Sequence, residues 1–192
     1  MFTGIIQTIG KIKSIKAGTF CFEARSSFFN EVEIGDSIAV NGVCLTVIEI
    51  GNDYFKADIS QETLRCTIFN HLSTNNSVNL EKALRLNQGI DGHLVSGHVD
   101  GIAKVVERFI EGESRRFKIN APKNLIKYIA KKSSVCINGV SLTVNNINDC
   151  VFDINIVPHT VKATTLGELE INSKVNLEVD IIARHLEQLL HH

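Results

Sequence analysis

Tryptophan is absent from this sequence, tyrosine occurs twice, and the formal net charge is −1. Surfaces for single-stranded nucleic acid combine basic grooves with stacking aromatics. Lysine and arginine are scattered here, so a nucleic-acid-binding role is set aside. Long apolar runs are missing too. No stretch approaches the roughly 20 residues that a membrane helix needs, and Met1-Phe-Thr-Gly-Ile-Ile lacks the charged start and apolar core of a signal peptide. The five cysteines, at 21, 44, 66, 136 and 150, form an odd set with no CxxC pair. That argues against a disulfide framework or a zinc site and for a reducing compartment. The expectation is a cytoplasmic globular chain without membrane contact. Only two prolines occur in 192 residues, which leaves extended segments uninterrupted.

What the sequence does have, it has twice. Ser37-Ile-Ala-Val-Asn-Gly-Val-Cys-Leu-Thr-Val47 returns as Ser134-Val-Cys-Ile-Asn-Gly-Val-Ser-Leu-Thr-Val144, identical at seven of eleven positions and displaced by 97 residues (141 − 44). Phe55 aligns with Phe152, Thr63 with Thr160, and Val78-Asn-Leu-Glu81 with Val175-Asn-Leu-Glu178. Ahead of the block the displacement is 93 (97 − 4), aligning Gly4 with Gly97 and Lys11 with Lys104, so the second copy carries a four-residue insertion (97 − 93). This is a tandem duplication, too short in copy number for a solenoid. It divides the chain into residues 1–93, residues 94–179 and a C-terminal segment 180–192.

Short runs rich in Val, Ile, Thr and Phe, bounded by Gly, Asn and Asp, read as strands. They cover 2–12, 19–25, 37–50, 54–60 and 77–84 in the first copy, and 98–107, 115–120, 134–147, 151–157 and 174–180 in the second. Asn41-Gly42 and Asn138-Gly139 each predict a type I′ hairpin, which needs positive φ at both central residues. The fold class expected is mainly β: two similar six-stranded antiparallel barrels, whose closure leaves no edge to aggregate. Helices are few. Pro122 opens a short one toward Ile129, with a turn as counterpart near Phe28–Val32. In the C-terminal helix Ile182, Leu186, Leu189 and Leu190 share one face, with Asp180 as N-cap. That stripe is expected to pack against further copies of the chain.

Inside the repeated block, chemistry differs most at Cys44 and Ser141. Strand alternation puts Thr46 on the face of Cys44 and Thr143 on that of Ser141. A small side chain beside a tight turn is ordinary packing; the functional alternative is a polar rim that bonds a heterocycle. Gly89-Ile-Asp-Gly-His-Leu-Val-Ser-Gly-His-Val99 joins the copies. His93 and His98 have no third metal ligand nearby, while the glycines permit close backbone approach to a flat ligand and a histidine there can move protons near neutral pH.

Met1-Phe-Thr-Gly-Ile-Ile, the two NGV-(C/S)-LTV blocks, GHLVSGHVD and Pro158-His-Thr-Val-Lys-Ala-Thr-Thr-Leu-Gly167 together resemble the riboflavin synthase family of the alpha-chain type, in order and over essentially the whole chain. The resemblance implies transfer of a four-carbon unit between two molecules of 6,7-dimethyl-8-ribityllumazine, giving riboflavin and 5-amino-6-ribitylamino-uracil. It implies no cofactor and no metal, a homotrimer joined by C-terminal helices, and lumazine synthase, the upstream enzyme, as an associate. Active sites would lie between the N-terminal barrel of one subunit and the C-terminal barrel of a neighbour. By the same resemblance the N-terminal pocket uses Gly4, Ile5, Ile6, Ser37, Cys44, Leu45, Thr46, Asp58, Glu62 and Thr63. The C-terminal pocket uses Gly97, His98, Val99, Lys132, Ser141, Leu142, Thr143, Val157, His159 and Thr160, with His93 also at the site. Cys44, Ser141, His98, Phe2 and Asp180 are the implied catalytic set. Asn138 stands where many members carry aspartate, so no acid role is available there, and Ser133 replaces a common glycine. The rival is a lumazine- or flavin-binding antenna protein, which resembles this family but needs only one good pocket.

Overall fold

The computed structural model describes residues 1–190; His191 and His192, to which the sequence assigned no role, lie outside the described residues. The first copy holds β1 (Thr8–Lys16), β2 (Thr19–Glu23), β3 (Ser37–Val40), β4 (Val43–Thr46), β5 (Glu49–Ile50), β6 (Tyr54–Asp58), α1 (Gln61–Cys66) and β7 (Ser77–Lys82). The second holds β8 (Gly101–Glu111), β9 (Ser114–Asn120), β10 (Ser134–Ile137), β11 (Val140–Asn148), β12 (Val151–Ile156), α2 (Pro158–Ala163) and β13 (Lys174–Val179), and α3 (Ile181–Leu190) follows.

The expected fold class holds. The second copy is a closed barrel in the order β10-β11-β12-β9-β8-β13, and the first repeats that order as β4-β3-β7-β1-β2-β6-β5. Its two end strands, β4 and β5, are pieces of one segment. The interruption has a visible cause. Val47 turns away to exchange hydrogen bonds with Gly35 and Asp36, as Val144 does with Lys132 and Ser133. In β11 the same departure is absorbed as a bulge between Val144 and Asn146.

Each barrel is filled by its own side chains. The first core is aromatic: Phe20, Phe22, Phe55 and Phe69 are in ring contact, with Phe22 and Phe55 centroids 5.1 Å apart. The second is mostly aliphatic, with Phe117 and Phe152 among Val, Ile and Leu. Among the described residues no helix is long and apolar enough to cross a membrane.

Three sequence expectations change. Residues 2–7 and 98–100 are not strand; the strands begin at Thr8 and Gly101 and run further, to Lys16 and Glu111. The preceding residues form arms whose hydrogen bonds go elsewhere. The helix expected after Pro122 is a single 3₁₀ turn at Ile126–Tyr128. Conversely, α1 and α2 occupy segments read as loops, α1 capped by the Ser60 hydroxyl and α2 opened by Pro158.

The barrels meet at their two Asn-Gly turns, back to back. All four turn residues have positive φ, between 45° and 81°. A Cβ on Gly42 would lie 2.7 Å from the Gly139 nitrogen, and one on Gly139 would lie 2.7 Å from that of Gly42. Four buried asparagines seal the contact reciprocally. Asn79 Nδ2 donates to the Asn138 carbonyl and Asn176 Nδ2 to that of Asn41, both at 2.9 Å. The side-chain oxygens of Asn41 and Asn138 accept the amides of Asn79 and Asn176 at 2.8 Å. Asn138 therefore works as its counterpart Asn41 does, as a turn residue and an interface acceptor.

Gly42→Ala should cost about 2–3 kcal/mol, from positive φ and overpacking together. Gly112→Ala, at an exposed turn with nothing within 4 Å of its Cβ position, should cost about 1 kcal/mol. Urea unfolding of both variants checks the ranking; equal losses would mean that the turn contact is slack.

Candidate functional site

The two arms, residues 1–7 and 93–99, run antiparallel between the barrels. Phe2 and Val95 exchange hydrogen bonds of 2.7 and 3.0 Å, and the His93 amide donates to the Thr3 carbonyl. Each arm then crosses. The Ser141 amide donates to the Gly4 carbonyl at 2.8 Å, and the Cys44 amide to that of Gly97 at 2.9 Å. Ile6 packs on the core of the second barrel and Val99 on that of the first. This corrects the expected partition: Gly4 and Ile6 belong beside Ser141, and Gly97 and Val99 beside Cys44. The reason is that each arm precedes its own barrel but pairs with the other one's fourth strand.

Glycine is required at both crossings. Gly4 has φ +77° and Gly97 φ +80°, and an added Cβ would fall 2.7 Å from the Cβ of Ser141 or Cys44 respectively. Phe2 is fully buried, packed with Ala39, Val95 and Cys136 beside Cys44 and Ala83. Through its bridge to Val95 it holds the two arms together.

The two places are not chemically alike. The Ser141 hydroxyl lies 2.7 Å from His93 Nδ1. Burial lowers the His93 pKa, while the charge of Asp180 opposes that shift, so the uncharged ring is the favoured form near neutral pH. Among the described residues no histidine meets Cys44 in this way. His98, exposed beside Gly97, is replaced by Ile5 in the first arm. Asp180 also caps α3, accepting the Ile182 amide at 2.9 Å, so both roles expected of it are geometrically compatible.

Other candidates are placed as follows. Thr46 lies opposite Ser37 in the β3–β4 ladder and Thr143 opposite Ser134 in the β10–β11 ladder, both with exposed side chains. Leu45 and Leu142 point toward the barrel cores. Asp58 accepts from Thr19 at 2.5 Å. Glu62 pairs with Arg65 at 2.6 Å and accepts from the Cys66 thiol, and Thr63 follows on the same helix. Val157 and His159 are exposed and Thr160 half-buried at the start of α2. Lys132 is held at φ +70° where the first copy has Gly35, a strain of about 1–2 kcal/mol.

A family profile described as "Lumazine binding domain" matches residues 3–83 and again 96–180. The riboflavin synthase of Photobacterium phosphoreum is 44% identical over 99% of this chain and 89% of its own length. That of Bacillus subtilis (strain 168) is 37% identical over 100% and 90%. The chain belongs to the lumazine-binding, riboflavin synthase family. Solved structures agree with the sequence relatives. LumP complexed with riboflavin superposes at TM-score 0.87 with 32% identity, over 94% of this chain and 100% of that one. LumP complexed with 6,7-dimethyl-8-(1'-D-ribityl) lumazine superposes at 0.83 with 33% identity, over 94% and 99%. The lumazine-binding unit is thus present twice, and each unit borrows an arm from the other.

Sequence reading did not single out the His93–Ser141 pair, because His93 lies outside the duplicated register. NMR titration of His93 should place its pKa below the ordinary 6.5. Asp180→Asn, which keeps a competent cap, should lower it further by removing the opposing charge. An upward move would rule out the Asp180 influence.

Proposed function

We propose that this protein is a riboflavin synthase. It takes two molecules of 6,7-dimethyl-8-ribityllumazine, moves a four-carbon unit from one to the other, and releases riboflavin and 5-amino-6-ribitylamino-uracil, with no cofactor or metal. The observation that carries this reading is the pair of related but inequivalent places, one built on Cys44 and one on Ser141 with His93. A reaction between two copies of one substrate needs two similar sites with different chemistry. Holding both reactants in register turns a bimolecular encounter into an oriented one.

The chemistry needs a base for the acidified C7 methyl group of one lumazine and a nucleophile at C7 of the other. His93, neutral near pH 7, accepts the proton released as the Ser141 hydroxyl or a water engages the ring. Cys44 supplies a thiol at the equivalent place, and His98 an exposed imidazole one residue from the Gly97 crossing. Lys132, Thr143, Val157, His159 and Thr160 would complete the Ser141 pocket; Ser37, Thr46, Asp58, Glu62 and Thr63 would complete that of Cys44.

The two reacting sites would come from different subunits of a homotrimer. α3 supports this. It faces its own barrel with polar groups: Arg184 pairs with Asp100 at 2.7 Å, and Glu187 binds Lys127 and the Tyr128 hydroxyl. Its apolar side, with Ile182, Leu186 and Leu189 between 54% and 74% exposed, is turned outward for other copies. We place the trimer in the cytoplasm, with lumazine synthase as the associate that delivers its substrate. A carrier role is the second reading, favoured by the likeness to LumP, which is complexed with riboflavin or the lumazine in its solved structures.

Incubation with 6,7-dimethyl-8-ribityllumazine as sole additive separates the two. Riboflavin and the uracil product in equal amounts are expected; tight binding of unchanged lumazine would make the protein a carrier. Leu186→Glu with Leu189→Glu should yield monomers in sedimentation that bind ligand yet lose at least about a hundredfold in turnover, a loss of shared-site positioning. Fully active monomers would defeat the shared-site arrangement.

A further inference from the structure

Two buried glutamates occupy equivalent places in the duplicated Val-Asn-Leu-Glu segments and take no part in the chemistry above. Glu81, on β7, is 3% exposed, and Glu178, on β13, is likewise 3% exposed. Among the described residues neither has a cationic partner; both are spent on the arms. Glu81 Oε1 accepts the Thr3 amide and hydroxyl, each at 2.7 Å, and Oε2 accepts the Gly4 amide at 3.0 Å. Glu178 Oε1 accepts the Ser96 amide at 2.7 Å and hydroxyl at 2.6 Å, and Oε2 the Gly97 amide at 3.1 Å.

The atoms that follow each clamp belong to the other barrel's site. One residue carries the Gly4 amide bound by Glu81 and the Gly4 carbonyl that accepts from Ser141, and Gly97 links Glu178 to Cys44 in the same way. The Thr3 carbonyl in turn accepts the His93 amide, so the first clamp also sets the backbone of the histidine that meets Ser141.

Resting on the reading of the two barrels as ligand sites, we propose that Glu81 and Glu178 are crossed positioning residues. Glu81, in the first barrel, fixes the arm that walls the Ser141 site of the second. Glu178, in the second barrel, fixes the arm that walls the Cys44 site of the first. The alternative, that each carboxylate only stabilises the barrel it sits in, predicts effects confined to that barrel. Ionised carboxylates suit the task because all three donors at each clamp point at acceptor-only oxygens. Glutamine would turn one oxygen into a donor facing an N–H.

The test uses the full-length protein and riboflavin as probe, read at two backbone amides. Selective 15N labelling of cysteine and serine lets ligand-induced shifts of Cys44 and Ser141 report the two sites separately in one titration. Glu81→Gln should weaken binding about tenfold at Ser141, the loss expected for one charge-assisted hydrogen bond, and leave the value at Cys44 within about twofold. Glu178→Gln should do the reverse. Thr3→Ala and Ser96→Ala, which remove only the hydroxyl leg of each clamp, should show the same crossed pattern more weakly and cover the case in which a glutamine variant does not fold. Effects on the same barrel, or equal effects at both amides, overturn the proposal while leaving the ligand sites standing. A wild-type protein whose Cys44 and Ser141 amides both ignore the ligand overturns the ligand-site reading and the proposal together.

Discussion

The contact between the two Asn-Gly turns is the constraint on which the rest of the molecule depends. A type I′ turn exposes its peptide groups at the hairpin tip. Here each tip is buried against the other, and glycine is the residue that lets the backbones approach this closely. Burial at such a point leaves polar groups with no water to satisfy them, at a cost of about 1–3 kcal/mol for each one orphaned. The four asparagines remove that cost: Asn79 and Asn176 donate and accept across the axis, and Asn41 and Asn138 accept within their own barrel. Once the tips are fixed, β4 and β11 are fixed with them, and so are Cys44 and Ser141 at the start of those strands.

The arms convert this symmetric joint into two unlike sites. Both follow one plan: a carboxylate clamp, a glycine at positive φ, then a carbonyl to the opposite strand. The difference lies in the side chains that meet there. Residues 84–92 precede the second arm and deliver His93 to Ser141. Among the described residues no histidine meets Cys44 in that way. Duplication thus gave two sites of one shape and unlike chemistry.

Much of this was legible in the residues. The repeat gave two domains of one fold, the Asn-Gly pairs gave the hairpins, and Asp180 read correctly as a cap because its position before an amphipathic stripe is a local signal. The arms were not legible as such. Residues 2–7 look like strand, but their hydrogen-bond partners lie across the interface, and no local pattern specifies a remote partner. For the same reason the pocket lists paired Gly4 with Cys44 rather than with Ser141. α1 and α2 are too short to show helical periodicity, although Ser60 three residues before Thr63 and Pro158 after a strand were start signals. Glu81 and Glu178 appeared only as repeated letters; their burial and their donors came from the structure.

The reciprocity of the joint has a historical meaning. In a two-fold dimer, residue i of one subunit meets residue j of the other, and j meets i. Asn79 with Asn138 and Asn176 with Asn41 obey that rule within a single chain, as do Gly4 with Ser141 and Gly97 with Cys44. The chain has the anatomy of an arm-swapped homodimer whose subunits have been joined end to end. Joining them removed the concentration dependence of that pairing and freed each half to change its residues independently of the other.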